Sequence, residues 1–294
     1  MLNVVYTKKY FSIQILVYKM DTFLSTFSQR NQDMIHHEVG LASDKIVKNT
    51  PFLLSKYWEQ ICSSVVCHAS GRHGVGLFAT DNIQAFQIVT LYPVHWLAYR
   101  NNTTNKQCTI DTGGASIRPP PSTHADYTFG IREPETNLDK SIIGDPRIVR
   151  PGWMGHMIND VDSISMQPTS KEILEYCETY AIANVVPITI SNLRIALVSV
   201  RDIPKGEEIL FSYGPSYWAG HARTGSREIE GESCQALLRN YWHISDNTVK
   251  MVYRGISEHN HDLAESLTVC SMSQSQRAMM IKNALSVPFP KNTP

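Results

Sequence analysis

The stretch from Leu193 to Trp218, LRIALVSVRDIPKGEEILFSYGPSYW, sets the pattern around which the chain is organised. An unbroken apolar run, Ile195 to Val200, predicts a buried strand. The run breaks at Asp202-Ile-Pro-Lys-Gly206, where Pro204 pre-sets φ for a turn and Gly206 takes its last position. A second short strand, Glu208 to Ser212, then delivers Tyr213 beside Gly214, followed by Pro215 and an aromatic pair, Tyr217 and Trp218. Taken alone this is a β-hairpin with an aromatic end, and the aromatic pair could wall a pocket.

Upstream, Thr50 and Pro51 suit the cap and first position of a helix. Leu54, Tyr57, Trp58, Ile61 and Val65 fall on one face, which predicts a helix from about Pro51 to Ser63. Residues 21–48 are only loosely helical in spacing. Ser70 to Ala79 carries three glycines, Gly71, Gly74 and Gly76, in a loop that can bring bare backbone N–H groups close to a ligand. A strand starts at Leu77. Asp81-Asn-Ile-Gln-Ala85 leads into another, Gln87 to Tyr92, and echoes the Arg201 to Gly206 unit, too briefly to count as a repeat.

A polar loop is expected at Asn101 to Asn105, strands at Gln107 to Asp111 and Tyr127 to Ile131, and irregular chain between Gly113-Gly114 and Pro119-Pro-Pro121. Glu133, Glu135 and Asp139 form an acidic segment, either a solvated loop or a rim for a basic peptide. A strand ends at the Ile142 to Pro146 turn. Gly152 to Asp160 is apolar at its centre, so Asn159 and Asp160 close a buried run and need polar partners: a turn cap or a ligand. Thr169-Ser-Lys-Glu172 is a capping box, opening an inserted helix to about Ile182 with Ile173, Leu174, Cys177 and Tyr180 inward. Asn184 to Ile190 returns to β character. After Trp218 comes a polar linker or lid, His221 to Glu232, then short helices around Ala236 to Trp242, Leu263 to Leu267 and Ala278 to Leu285.

Composition narrows the function. The 294 residues are 42% hydrophobic and 18% charged, which suits one medium domain with extensions. Lys+Arg and Asp+Glu both number 27, so a protein working mainly by phosphate neutralisation, and direct nucleic-acid binding with it, is not expected. Six scattered cysteines form no Cys-x-x-Cys pair; no metal site is expected, and free thiols suit a reducing, intracellular compartment. The apolar stretch Tyr10 to Tyr18 is too short to span a membrane, and Lys19, Met20 and Asp21 follow where a signal peptide would have small residues. Met20 is an alternative start, with residues 1–19 then not native.

Three segments stand in a fixed order: Gly71-Arg-His-Gly-Val-Gly-Leu-Phe-Ala79, Gly155-His-Met-Ile-Asn-Asp160, and Arg201-Asp-Ile-Pro-Lys-Gly-Glu-Glu-Ile-Leu-Phe-Ser-Tyr-Gly214. Together they resemble the SET domain of protein lysine methyltransferases, over about residues 65–218. The resemblance implies a mainly β fold with helical extensions (α+β), several small sheets and a C-terminal pseudoknot. Residues 1–64 then form an N-terminal extension and 219–294 a C-terminal one. It implies S-adenosylmethionine as cofactor, a protein lysine (in a histone tail or another protein) as substrate, and a nuclear or cytoplasmic setting. By position, Gly74, Val75 and Gly76 would line the cofactor, Asn159 would hold its methionine end, and Tyr213 would be the catalytic tyrosine. Phe211 sits where the family limits the number of methyl groups added; Tyr217 and Tyr127 are expected in the substrate channel. Trp218 would stack on adenine or wall the channel. Two departures stand out: Asp160 replaces the family's usual His and is expected at the adenine or ribose, and Ser212 replaces an Asp before the tyrosine. They keep open a second reading, a catalytically silent module that binds a peptide or partner.

Overall fold

A computed structural model of the chain describes residues 54, 57–101, 107–112, 116–117, 127–132, 138–162, 169–191, 193–215, 217–218, 232–261 and 264. The expectations for residues 1–48 and for a helix at 278–285 lie outside the described residues, as do all but the last residue of the linker expected at 221–232 and all but Ala264 of the helix expected at 263–267.

The elements run α1 (Trp58–Ser63), β1 (Val65–Ala69), β2 (Val75–Ala79), β3 (Ile88–Leu91), β4 (Trp96–Asn101), β5 (Gln107–Asp111), β6 (Ser116–Ile117), β7 (Thr128–Arg132) and β8 (Leu138–Ile143). After a 3-10 turn at Gly155–Met157 follow β9 (Asn159–Asp160), α2 (Ser170–Tyr176), a 3-10 turn at Thr179–Ile182, β10 (Val185–Ser191), β11 (Arg194–Ser199), β12 (Glu208–Phe211) and α3 (Glu232–His259). Among the described residues, strands in three small sheets dominate, with few helices. Among the described residues no helix is long and apolar enough to cross a membrane.

The chain divides into two compact units. One holds Tyr92–Arg150 and Asn192–Arg194. Its sheet has the order β6-β5-β4-β8-β7, with antiparallel pairs throughout. The central β4 was not foreseen. It is buried on both faces, with Trp96 and Ala98 packed on Ile143 and with Leu97 and Tyr99 fully enclosed, so it lacks the alternation that reveals a half-exposed strand. Asp139 belongs to β8 rather than to an acidic turn, in register with Arg100 and Arg132 on the flanking strands. Inside the stretch expected to be irregular, Ser116–Ile117 pairs with β5.

The other unit holds Leu53–Leu91, Pro151–Ser191 and the described chain from Ile195 onward. One sheet has the order β10-β11-β3 and the other β1-β2-β12-β9. The apolar runs at β3 and β11 are buried almost throughout, as fully enclosed strands require. The two echoing turns face each other. Ile83 and Ile203 exchange backbone hydrogen bonds of 2.9 and 2.8 Å. Asn82 Oδ1 accepts from the Lys205 N–H (2.9 Å), and Asp202 Oδ1 accepts from the Ala85 N–H (2.8 Å). Each turn thereby satisfies backbone donors of the other, and Gly206 takes the positive φ of 84° that closes its turn.

Two helices differ from expectation. α2 has its capping box, with the Thr169 N–H donating to Glu172 Oε2 at 2.7 Å. It ends at Tyr176, however, and its inward side chains are Ile173, Tyr176 and Cys177. The short helix near Ala236 is part of a 28-residue helix, α3. Val252, Tyr253 and Ile256 of α3 join Leu54, Ile61, Leu91 and Ile188 in one buried cluster. A Cβ on Gly255 would lie 2.5 Å from the Phe86 ring, so α3 rests directly on that side chain.

Candidate active site

β12 runs between β2 and β9, antiparallel to the first and parallel to the second. Beyond Phe211 the ladder stops, and Gly214, at φ 95°, turns the chain. Tyr213 stands at this exit, half-buried. Its Oη donates to the carbonyl of Ile158 at 2.7 Å. The rings of Phe211 and Tyr217 lie on it with centroids 5.0 Å away, tilted by 48° and 81°. Phe211 is buried and Tyr217 half-buried.

Asn159 follows Ile158 directly and is in register with Leu210 of β12. It is 7% exposed. Its Nδ2 donates to the carbonyl of His73 (3.1 Å) and to Glu208 Oε1 (2.9 Å), which ties the buried run to the glycine loop. Close approach is possible because residue 76 is glycine: a Cβ there would come within 2.2 Å of Glu208 Oε1 and 2.8 Å of Asn159 Nδ2. Gly74 takes φ 46° at the loop's turn, and Val75 is exposed. Arg72 reaches across the same loop, donating from Nη1 to the Val161 carbonyl at 2.7 Å, with Nε 4.0 Å from Glu208 Oε2. The Nε2 of His73 is buried and has no hydrogen-bond partner.

Asp160 is 1% exposed. Its carboxylate accepts from Tyr176 Oη (2.8 and 3.0 Å), Trp218 Nε1 (2.8 Å) and the Val161 N–H (2.6 Å). The backbone N–H of Tyr213 is a further donor. Burial pushes the carboxyl up from the ordinary 3.8 to about 7, against the pull of these donors. Burial, and then the Asp160 charge, push the Tyr176 phenol up. Tyr176 Oη also accepts from the Gly214 N–H (3.0 Å) and lies 2.6 Å from Ser212 Oγ, which lies 2.7 Å from Tyr241 Oη on α3.

The structure therefore brings Gly76, Asn159, Asp160, Phe211, Tyr213, Tyr217 and Trp218 into one neighbourhood. Trp218 is 3% exposed and its indole N–H is engaged by Asp160, within a cluster that includes Tyr176 and Tyr241. Tyr127 belongs to the other unit, where its carbonyl accepts from Tyr92 Oη at 2.7 Å. Sequence reasoning passed over Arg72 and His73, although both stand inside the glycine motif, and Glu208, the second acid of the Gly206-Glu-Glu208 run. Tyr176 was within reach too, at i+3 from Ile173. Nothing in the sequence singles out Tyr241.

The family model of the SET domain matches residues 74–214. No curated protein sequence matches the chain significantly. Among solved structures, the chain is similar to a Plasmodium falciparum protein assigned as a histone methyltransferase, at 19% identity over 53% of this chain and 97% of that one, with a TM-score of 0.29. It is also similar to ATXR5 in complex with histone H3.1 monomethylated on an arginine, at 13% identity over 55% of this chain and 60% of that one, TM-score 0.33. The ATXR5 SET domain with histone H3 dimethylated on an arginine gives 14% identity over 55% and 60%, TM-score 0.32. The match begins in the glycine loop and ends on the residue after Tyr213, so it is residues 74–214 that are similar to the SET domain.

Proposed function

We propose that the chain is a protein lysine N-methyltransferase that uses S-adenosylmethionine. The observation that carries this reading is the meeting of its three motifs: Tyr213 bonds to Ile158, and the next residue, Asn159, bonds to the glycine loop through His73. The residues present suit the cofactor. His73 Nε2 is a buried nitrogen awaiting a polar partner, Gly74 leaves open space over its backbone, and Gly76 lets Asn159 and Glu208 come close. Asn159, His73 and the Gly74 to Gly76 backbone would hold it. When bound, it supplies a methyl group on a sulfonium, ready for attack by a neutral amine.

The chain's own task is to present that amine. An unperturbed lysine titrates near 10.4, so deprotonation at pH 7 costs about 4.6 kcal/mol. The apolar wall of Phe211, Tyr213 and Tyr217 lowers this cost by disfavouring the ammonium. Tyr213 is not the base. Its proton is committed to the Ile158 carbonyl, which leaves the phenol oxygen as an acceptor that orients an amine N–H. Phe211, having no hydroxyl, leaves room beside the amine, so products beyond monomethyl-lysine are expected. The substrate class is a lysine-bearing protein segment, histone tails included, met in the nucleus or cytoplasm.

The test is transfer of labelled methyl to purified histones beside a whole-cell extract. Tyr213→Phe should lower turnover roughly hundredfold while calorimetry still detects cofactor binding. Absence of cofactor binding by the unsubstituted protein sinks the reading. Mass spectrometry finding monomethyl product alone after prolonged reaction contradicts the role of Phe211. One observation favours a second reading, a silent peptide-binding module: both donor contacts of Asn159 Nδ2 are made within the chain. The same calorimetry separates the two.

A further inference from the structure

Asp160, where the family usually has His, lies at the inner end of a line of hydrogen bonds running outward to helix α3. Proton counting fixes its direction. Tyr176 has one hydroxyl hydrogen and gives it to the Asp160 carboxylate. Its oxygen must then accept from both the Gly214 N–H and Ser212 Oγ. Ser212, having given up its hydrogen, accepts from Tyr241 Oη. Each hydroxyl hydrogen is thereby placed in one sense: Tyr241 to Ser212 to Tyr176 to Asp160. The Tyr213 N–H ends on the same carboxylate and the Gly214 N–H on the same phenol, so the two residues at the exit of β12 are held by this pair.

We propose that Asp160 is a positioning residue for methyl transfer: with Tyr176 it fixes the Tyr213–Gly214 turn, and through Ser212 and Tyr241 it makes helix α3 part of that setting. The proposal rests on the transferase reading for its kinetic consequences, and on geometry alone for the fixing of the turn. It also accounts for Ser212. An Asp there would set a second carboxylate within reach of Tyr176 and Asp160, two buried like charges with one phenol between them. A hydroxyl passes the hydrogen bond on without adding charge.

The titratable and charged groups on the surrounding elements are Tyr176 and Cys177 on α2, Tyr241 on α3, Tyr213 and Tyr217 after β12, Glu208 on β12, and Arg72, whose guanidinium stops at the Val161 carbonyl. Among the described residues no cation contacts the carboxylate, which is consistent with its raised pKa. Protonation of Asp160 would be accommodated without breaking the line. The other donors to it are fixed N–H groups, so the Tyr176 hydroxyl is the one that turns, reversing each link out to Tyr241.

The full chain serves for the test, with labelled S-adenosylmethionine and core histones as probes. Tyr176→Phe keeps the ring and removes the hydroxyl; Ser212→Ala and Tyr241→Phe cut the line further out. Turnover should fall roughly ten- to hundredfold in Tyr176→Phe, less in Ser212→Ala and least in Tyr241→Phe, with KM for the histone nearly constant. This order should hold after thermal unfolding shows each variant folded, and it should not follow their losses in stability. Independently of activity, the Gly214 amide and Trp218 indole resonances should shift together on titration near neutrality, and Asp160→Asn should abolish the shared response. Turnover of Tyr176→Phe within about twofold of the unsubstituted protein, or resonances that titrate separately, overturns the proposal. A shared response in a protein that transfers no methyl overturns the transferase reading and still supports Asp160 as the group that fixes the turn.

Discussion

Asp160 sits within the parallel pair of β9 and β12 and Tyr213 just beyond its end, and their chemical situations are opposite. Tyr213 is half-exposed, with its phenol donating to the Ile158 carbonyl; Asp160 is enclosed and accepts from several donors. The enclosed carboxyl carries a consequence for stability. Its folded pKa, about 7, lies above the ordinary 3.8, so the folded chain binds that proton more tightly than the unfolded one. The stability so gained is fully present below about pH 4, declines as the pH rises, and is gone once the pH passes about 7. Urea unfolding across this window should give a free energy that falls with pH by at most about 1.4 kcal/mol per unit from this group. Asp160→Asn should flatten the slope; an unchanged slope would refute the assignment. Legibility at this scale follows the same division. Tyr213 and Asn159 were readable because the motif fixes residue type and order together. The partners of Asp160 were not, because Tyr176 and Tyr241 come from helices whose sequence shows only an apolar face, and a tyrosine counts there as core.

Among the elements, short strands enclosed on both sides proved harder to see than turns. The capping box at Thr169 and the Asp202 to Gly206 turn are local chemistry and could be read residue by residue. β4 could not, because burial of both faces removes the alternation that marks a strand. α3 was underread for a different reason: among the described residues its buried side runs through Tyr241, Val252, Tyr253 and Ile256 and is interrupted by the polar Ser245 and Thr248. Gly255 sits within that helix against Phe86, itself at φ 65°. Alanine is ordinarily the better helix former by about 1 kcal/mol. Here its methyl would enter the Phe86 ring, so Gly255→Ala should instead destabilise by roughly 1–3 kcal/mol, as measured by chemical denaturation. A stabilised variant would show that the helix does not bear on Phe86.

On the scale of the whole chain, α3 is not an appendage to the unit that holds the candidate site. Val252, Tyr253 and Ile256 lie in the same cluster as Leu91, Ile188 and Val198, and burial of each contributes about 1.5–3 kcal/mol. A chain cut after Trp218 should therefore lose cooperative unfolding, in circular dichroism and in calorimetry alike; a sharp transition at an unchanged temperature would contradict this. The position of β12 has another consequence, in time rather than in space. Its sheet has the order β1-β2-β12-β9, and β12 is the last of the four to be made. A nascent chain holding β1, β2 and β9 has a gap where its middle strand belongs, with β9 unable to pair across it. Contacts over more than a hundred residues, such as those joining Ala85 to Asp202, must wait as well. Synthesis thus gives the candidate site its glycine loop and Asn159 first and its tyrosine last, and stalled chains ending before Glu208 should remain open to protease until the final strand arrives.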